Sequence, residues 1–460
     1  MSGVVGILIS LCLLMVLAYR NHSVIVIAPL CALLAVAVDG ELPLLATYTQ
    51  IFLDSLGVFI VRYFPLFLLG AIFGKLMEAT GSATSIAHAV IRWVGTRRAV
   101  LALVLTCSVL TYGGVSLFVV VFTVFPLAVA LFQQADLPPR LIPASIALGA
   151  FTYTMTALPG SVQIQNLIPM PFFKTNSFAA PVMGCLAAAI MFGLGMLWLN
   201  WRAAQARHRQ EGFGALSTSV LPRNPTPASS IATPSLLVAL TPLVCLVLLN
   251  LVCSQILVPG WKADYLAEKR FGATSLGKVQ GVWSTILAML GAILCLMAIH
   301  WKRGRELTDL LSQGAQSSLL PVFNAASEFG YGSTIAALSG FALVKEWMVG
   351  IAPSRPLVSE ALSVNVLAGI TGSASGGLSI ALEALGETFY ERGLAAGLEP
   401  QILHRVASLS CGGLDTLPHN GAVITLLLIC GATHKQSYGD IAMVSVVSPI
   451  IATAVVIVLA

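Results

Sequence analysis

Three residues able to hold a proton or donate to an anion fall within one short stretch: Asp415, His419 and Asn420, in Asp415-Thr416-Leu417-Pro418-His419-Asn420-Gly421. A carboxylate beside a helix break can take a proton or coordinate Na⁺, and an imidazole changes charge near neutral pH. The stretch interrupts an apolar run, where ionisable groups are expensive and mark function. Glu328 is a second case, in Asn324-Ala325-Ala326-Ser327-Glu328-Phe329-Gly330-Tyr331-Gly332. Asp415, His419 and Glu328 are therefore the candidates for coupling an ion to another event. The bland alternative is a satisfied structural pair at Asp415 and His419 and an interface residue at Glu328. Arg62 reads as snorkelling to the outer surface, Lys75 and Glu78 as interfacial, and Glu383 and Glu387 as solvated.

A matching interruption stands in the first half of the chain. Leu137-Pro138-Pro139-Arg140 leads to Thr156-Ala157-Leu158-Pro159-Gly160, as Leu398-Glu399-Pro400-Gln401 leads to the Asp415 stretch. Upstream of each lies a glycine break, Tyr112-Gly113-Gly114 in one half and Gly372-Ser373-Ala374-Ser375-Gly376-Gly377 in the other. The spacing from Gly113 to Pro159 is within a few residues of that from Gly376 to Pro418. Paired breaks at corresponding places in two hydrophobic halves point to a transport site. Amide N–H groups freed at half-helix N-termini carry partial positive charge and suit an anion. The predicted binding residues are Tyr112, Gly113, Gly114, Ser116, Thr156, Pro159, Ser161 and Gln163 from the first half. From the second they are Ser373, Ser375, Gly376, Thr416, His419 and Asn420. The alternative is that serines and threonines glue helices together and glycines permit close packing.

The elements that must position these residues follow from composition. The 460 residues are 57% hydrophobic and only 9% charged, where a soluble domain carries roughly 25% charged residues. The apolar runs are long and continuous and do not alternate, so lipid is the solvent and helices are the form. We expect an all-α polytopic membrane protein of about ten transmembrane helices plus two re-entrant hairpins, built as an inverted-topology repeat with broken helices. Residues 1–200 form the first repeat, 201–233 a cytoplasmic linker and 234–460 the second repeat. Met1 to Leu17 reads as a retained first helix, without the basic start of a signal peptide. Candidate crossings run 3–18, 23–38, 56–78 and 178–200 in the first half, with a link at 82–97, an interrupted run at 99–132 and a broken segment at 139–172. The second half gives 234–256, 273–299, a link near 303–315, 320–349, an interrupted run at 357–390, a broken segment at 398–431, and 439–460.

Lysine and arginine in short loops set the orientation. Tyr19 to His22, Arg92 to Arg98, Arg202 to Arg209, Lys302 to Arg305 and His434-Lys435 are expected in the cytoplasm. Asp39-Gly40-Glu41 and the loop from Pro171 to Asn176 face out. These signs agree only if 99–132 enters and returns on the cytoplasmic side and 357–390 enters and returns from outside. The two halves then have opposite topology.

The nine cysteines are scattered singly, with no CxxC pair or Cys/His cluster, so no metal site is expected. No GxxxxGK[ST], HExxH or GxSxG pattern occurs, which removes an ATP motor and the commonest hydrolase nucleophiles. The net charge of +5 belongs to basic loops and implies no nucleic-acid partner. The reading is a non-enzyme without cofactor.

Two segments resemble one known family. Gly70-Ala71-Ile72-Phe73-Gly74-Lys75-Leu76-Met77-Glu78-Ala79-Thr80-Gly81 is similar to the G-[AG]-x-x-G-[KR]-L-x-E-x-[ST]-G segment of gluconate permeases. Leu417-Pro418-His419-Asn420-Gly421-Ala422-Val423 resembles the subgroup associated with D-3-hydroxybutyrate. By layout the resemblance spans nearly the whole chain; by residue it rests on these segments. It implies proton symport of a small hydroxy-monocarboxylate across the bacterial inner membrane, in the wider ion-transporter architecture. The run from Asp415 to Asn420 departs from the gluconate-permease pattern, which favours a smaller, less hydroxylated acid than gluconate. The expected partners are a small organic anion and the lipid bilayer, with a homodimer as the expected assembly if the chain associates. Two alternatives stay open: a Na⁺-coupled di- or tricarboxylate carrier, and an ion channel or antiporter without organic substrate.

Overall fold

The structure is a computed structural model and describes residues 2–20, 22–214, 234–350, 352, 354–418 and 420–460. Helices account for every regular element among these residues, and no strand occurs. Leu-, Ala- and Val-rich runs have no polar face to expose, so their backbones bond internally and their side chains face lipid or one another. The first half comprises α1 (Ser2–Tyr19), α2 (Val24–Asp39), α3 (Leu44–Ala79), α4 (Ser82–Val94), α5 (Ala99–Tyr112), α6 (Leu117–Gln134), α7 (Ile142–Ala150) and α8 (Pro181–His208). The second comprises α9 (Leu236–Leu257), α10 (Leu276–Ile299), α11 (Arg305–Ala336), α12 (Phe341–Gly350), α13 (Pro356–Thr371), α14 (Ala374–Ala395), α15 (Pro400–Cys411), α16 (Gly421–Ile429) and α17 (His434–Leu459). Five of these, α3, α8, α9, α10 and α17, are long and apolar enough to cross a membrane. The protein is a multi-pass membrane protein.

Proline and glycine set most of the ends. Pro181, Pro356 and Pro400 stand in the first turns of α8, α13 and α15, where the missing N–H leaves no bond unmade. The turn between α5 and α6 needs Gly114 at φ +84°, and the end of α13 needs Gly372 at φ +62°, a region that Cβ disfavours. Between α7 and α8 the chain makes only short turns, at Tyr153–Thr156, Ile164–Leu167 and Pro169–Phe173. Between α15 and α16 it has no regular element among the described residues.

Two expected boundaries are corrected. The link near 303–315 and the crossing from 320 are one continuous helix of 32 residues, α11, which runs unbroken through Gly330 and Gly332. A Cβ at Gly330 would stand 2.7 Å from Phe52 O and one at Gly332 3.0 Å from Ile380 Cα, so these glycines let neighbouring backbones approach. Likewise α8 does not stop near 200 but continues to His208. The expected linker therefore begins as helix, and its residues 215–233 lie outside the described residues. Arg202, on that extension, donates from Nε to Asp440 Oδ1 at 2.7 Å. Asp440 is buried and also accepts from Trp198 Nε1 at 2.9 Å and Arg140 Nη1 at 3.2 Å. One carboxylate thus ties α8, α17 and the start of the first broken segment.

The most extensive helix contact among the described residues joins α3 to α11, the long helices of the two halves. A closer approach joins α13 to α14, where a Cβ added at Gly377 would overlap Ala368 Cα and N. Those neighbours are backbone and cannot rotate away. Gly377→Ala should therefore lower stability by about 1–3 kcal/mol through overpacking. Gly193→Ala, with nothing within 4 Å of its added Cβ inside α8, should gain about 1 kcal/mol from helix propensity. Thermal denaturation of the two variants checks this; equal effects would mean that the glycines are not packing against backbone.

Candidate functional site

The two glycine breaks and the two Leu-Pro breaks meet in the interior. In the first half, Tyr112 donates its hydroxyl to Pro159 O at 2.8 Å, and Gln163 Nε2 donates to Thr111 O at 2.7 Å. In the second half, Asn420 Nδ2 donates to Gly372 O at 2.8 Å and to Asp415 O at 2.9 Å, while its Oδ1 accepts from Val423 N at 2.8 Å. Each half thus fastens its helix-pair turn to its break, by different side chains.

The halves also touch each other at the breaks. A Cβ at Gly412 would lie 3.0 Å from Thr156 Cγ2. Ser408 donates to Thr156 O at 2.7 Å, and Arg405 Nη1 donates to the same oxygen at 3.1 Å. Arg405 is fully buried. Its other bonds go to Ala179 O, from Nε at 3.2 Å and Nη2 at 2.7 Å, and to Asn166 Oδ1 at 3.1 Å. Beside it His404, also fully buried, meets Thr175 Oγ1 through Nδ1 at 2.6 Å. An unwound segment leaves carbonyls without helical partners, and in a dry interior each needs a donor. The guanidinium supplies several at once in a fixed fork.

A cavity of about 900 Å³ opens between these elements. Of the predicted residues, Gly114, Ser116, Thr156, Gln163, Ser373, Ser375, Asn420, Asp415 and Glu328 line it. Lys75 and Glu78, an ion pair at 3.4 Å, line it as well, together with His22. The remaining described candidates do not. Gly113 faces α9, where its added Cβ would meet Leu243 Cδ2 at 2.5 Å. Ser161 is buried and donates to Thr154 O at 2.8 Å. Thr416 pairs with Ser445 Oγ at 2.8 Å. Tyr112 and Pro159 bond each other, and Gly376 packs against Glu328. His419 lies outside the described residues. Arg62 is half-buried, with its guanidinium 5.6 Å from the Phe172 ring centroid.

Four helices begin at this cavity, α2, α6, α14 and α16, and their N-termini differ; that of α2, at Ser23, has no side-chain cap. Asn420 caps α16 and Ser373 caps α14 through Gly376 N at 3.1 Å. The α6 terminus, at Ser116, has no side-chain cap. Two buried acceptors on the cavity wall are also without partners, Asp415 Oδ1 and Gln165 Oε1. The site therefore offers free amides for an anion and free acceptors for hydroxyl groups.

The profile of the GntP family permeases matches residues 2–322. The chain belongs to that family. A Bacillus subtilis protein described as an uncharacterised transporter is 44% identical over 454 residues, covering 96% of this chain and 95% of the relative. A Haemophilus influenzae protein, also described as an uncharacterised transporter, is 32% identical over 123 residues, 26% of this chain and 29% of its own. GntP family membership makes this chain a transporter. The profile ends before the second helix pair and the second break, whereas the Bacillus relative spans both.

Sequence reasoning passed over Arg405, His404, Glu360, Gln165 and Asp440. The rule that selected Asp415, an ionisable residue in an apolar run, applies equally to Arg405 and to Glu360 of α13. Glu360 is fully buried, with no partner for either carboxylate oxygen. Gln165 carried no such signal, because only the unwinding after Pro159 turns it toward the cavity.

Proposed function

We propose that this GntP family member is a proton-coupled symporter that brings a small hydroxy-monocarboxylate, such as D-3-hydroxybutyrate, across the bacterial inner membrane. The observation that carries the reading is the composition of the cavity wall. An uncapped helix N-terminus suits the carboxylate of the cargo, and the unpartnered Asp415 Oδ1 and Gln165 Oε1 suit its hydroxyl group. The same wall holds two acids, Glu328 and Asp415. A cargo carboxylate about 4 Å from a charged acid would meet a repulsion of about 4 kcal/mol at an effective dielectric of 20. Protons accompanying the anion remove that repulsion, so the acidity of the wall favours proton symport over simple anion binding.

In this reading α5–α6 and α13–α14 are the two re-entrant hairpins of an inverted repeat with about ten crossings. At 14 and 16 residues, α5 and α13 reach about 21 and 24 Å at 1.5 Å per residue, short of the roughly 30 Å hydrocarbon core. His22, Lys75 and Glu78 then mark the cytoplasmic mouth of the cavity.

Counterflow in proteoliposomes tests the proposal. Internal unlabelled D-3-hydroxybutyrate should accelerate uptake of labelled D-3-hydroxybutyrate several-fold, and an imposed inward pH gradient should drive accumulation. Conductance without trans-stimulation would indicate a channel. Uptake requiring Na⁺ at fixed pH and membrane potential would indicate a sodium-coupled carrier.

A further inference from the structure

The N-termini of the two helices that follow the glycine breaks are occupied differently. At α6 the cap position is Ser116, and Gly74 of α3 packs close to it, its added Cβ standing 3.3 Å from Ser116 N. No acid reaches that terminus among the described contacts. At α14 the neighbour from the opposite long helix is Glu328 of α11. Ser373 Oγ donates to Glu328 Oε2 at 3.4 Å while accepting from Gly376 N. A Cβ on Gly376 would overlap Glu328 Oε2 and stand 2.8 Å from Oε1. The carboxylate therefore lies against the first turn of α14, in the space that the glycine leaves open. Glu328 is only 4% exposed, yet it lines the cavity, as do Ser373 and Ser375. The same wall holds the unpartnered Oδ1 of Asp415, an acceptor for a proton or a hydroxyl, whose backbone carbonyl shares the Asn420 amide with Gly372 O.

We propose that Glu328 is a resident anion: its carboxylate holds the α14 N-terminus in the place an anionic cargo group would take, and cargo docks at that terminus only in exchange for a proton on Glu328. This deepens the symport reading and rests on it. In the unloaded protein the positive end of α14 is matched by Glu328. A proton from the aqueous mouth adds to a Glu328 oxygen and gives a neutral carboxyl group; no other bond changes. The helix terminus is then unmatched and attracts the cargo carboxylate. Losing that proton recharges Glu328 and expels the cargo.

The charged groups around Glu328 leave it as the acid at this terminus. On α3, Lys75 and Glu78 pair with each other at the cavity mouth; Asp54 and Arg62 flank the level at which Phe59 meets Phe329 of α11, but neither lines the cavity, and the Arg62 guanidinium lies over the Phe172 ring. On α2, Asp39 accepts from Ser339. On α14, the nearest charged residue in sequence is Glu383, beyond two full turns from the cap. On α11 itself the other charges, Arg305, Glu306 and Asp309, are in its first turns, and Tyr331 is bonded to Ser10. On α12, Glu346 lies past the end of α11. His22 and Asp415 are the remaining titratable residues on the cavity wall.

The test uses the full-length protein in nanodiscs, with D-3-hydroxybutyrate and gluconate as thermal-shift probes between pH 5.5 and 8.5. In the wild type, exchange of one proton per anion predicts a half-stabilising concentration that rises by up to about tenfold per pH unit on the alkaline limb. In Glu328→Gln this slope should flatten and binding at pH 8.5 should tighten at least tenfold, because the neutral amide no longer matches the terminus. Gly376→Ala should shift in the same direction by displacing the carboxylate; Glu328→Gln decides alone if that variant does not fold. A second readout needs no cargo. None of the nine native cysteines lines the cavity, so Ser375→Cys should report locally through its reaction with small cationic and anionic methanethiosulfonates. Its preference for the cationic reagent at pH 8 should fall at least threefold when Glu328→Gln is added. Probe binding with an unchanged pH slope, or a reagent preference that Glu328→Gln leaves unchanged, overturns the resident anion. No binding of either acid, with the reagent preference of Ser375→Cys still dependent on Glu328, leaves the resident anion standing and overturns the choice of cargo.

Discussion

Arg405→Leu should leave little folded transporter. The side chain is fully buried and makes four hydrogen bonds, to Ala179 O, Thr156 O and Asn166 Oδ1. Thr156 O keeps a bond from Ser408 after the change, but Ala179 O loses both of its donors. An orphaned buried acceptor costs about 1–3 kcal/mol, and bonds from a charged donor are at the upper end. Removing the partner from a buried charged network typically costs about 3–5 kcal/mol, against a whole-protein stability of about 5–15 kcal/mol. Size-exclusion profiles of detergent-solubilised protein should show the monodisperse fraction falling several-fold. Arg405→Lys should not restore it, because an ammonium group cannot serve three separated acceptors as a planar fork does. Arg207→Leu is the control, an exposed arginine of α8 without a side-chain bond to any described residue. Wild-type behaviour of Arg405→Lys would show that charge alone, not the fork, holds the breaks together.

The contrast between Arg405 and the breaks it secures shows what the sequence could reveal. Gly113-Gly114, Pro159, Gly372 and Pro418 announce interruptions by their own backbone chemistry, so the positions of the breaks were legible without partners. The bonds that close the breaks were not legible. Tyr112, Gln163, Asn420 and Arg405 all donate to backbone carbonyls, and a carbonyl has no residue type to match. For that reason Asn420 read as a cargo donor, although its amide caps α16 and holds Gly372. Gly376 similarly read as a place for cargo, and the structure fills it with Glu328 from a helix in a different part of the chain. The continuity of α11 was hidden because its polar first turns resemble a surface link, while the helix itself is set by packing along α3.

Asp415→Asn should retain exchange of labelled D-3-hydroxybutyrate while losing part of the accumulation driven by a pH gradient, the share carried by the second proton beside that of Glu328. Asp415 is buried on the cavity wall, its backbone carbonyl is held by Asn420, and its Oδ1 has no partner. The main chain at this point is therefore fixed while the carboxylate remains available to take up and release a proton. Asparagine preserves the size and one acceptor, so cargo can still dock and return. It cannot carry a proton. One pH unit is worth about 1.4 kcal/mol per proton, so each proton moved with the anion multiplies the limiting accumulation by up to about tenfold. Loss of the Asp415 proton should therefore lower accumulation about tenfold per pH unit of gradient, even with Glu328 intact. The two acids separate by the carboxylate that each variant removes from the α14 terminus: Glu328→Gln also tightens binding at pH 8.5 and changes the reagent preference of Ser375→Cys, whereas Asp415→Asn should lower the drive without either effect. Full gradient-driven accumulation in Asp415→Asn would remove it as a proton carrier and leave Glu328 as the coupling acid.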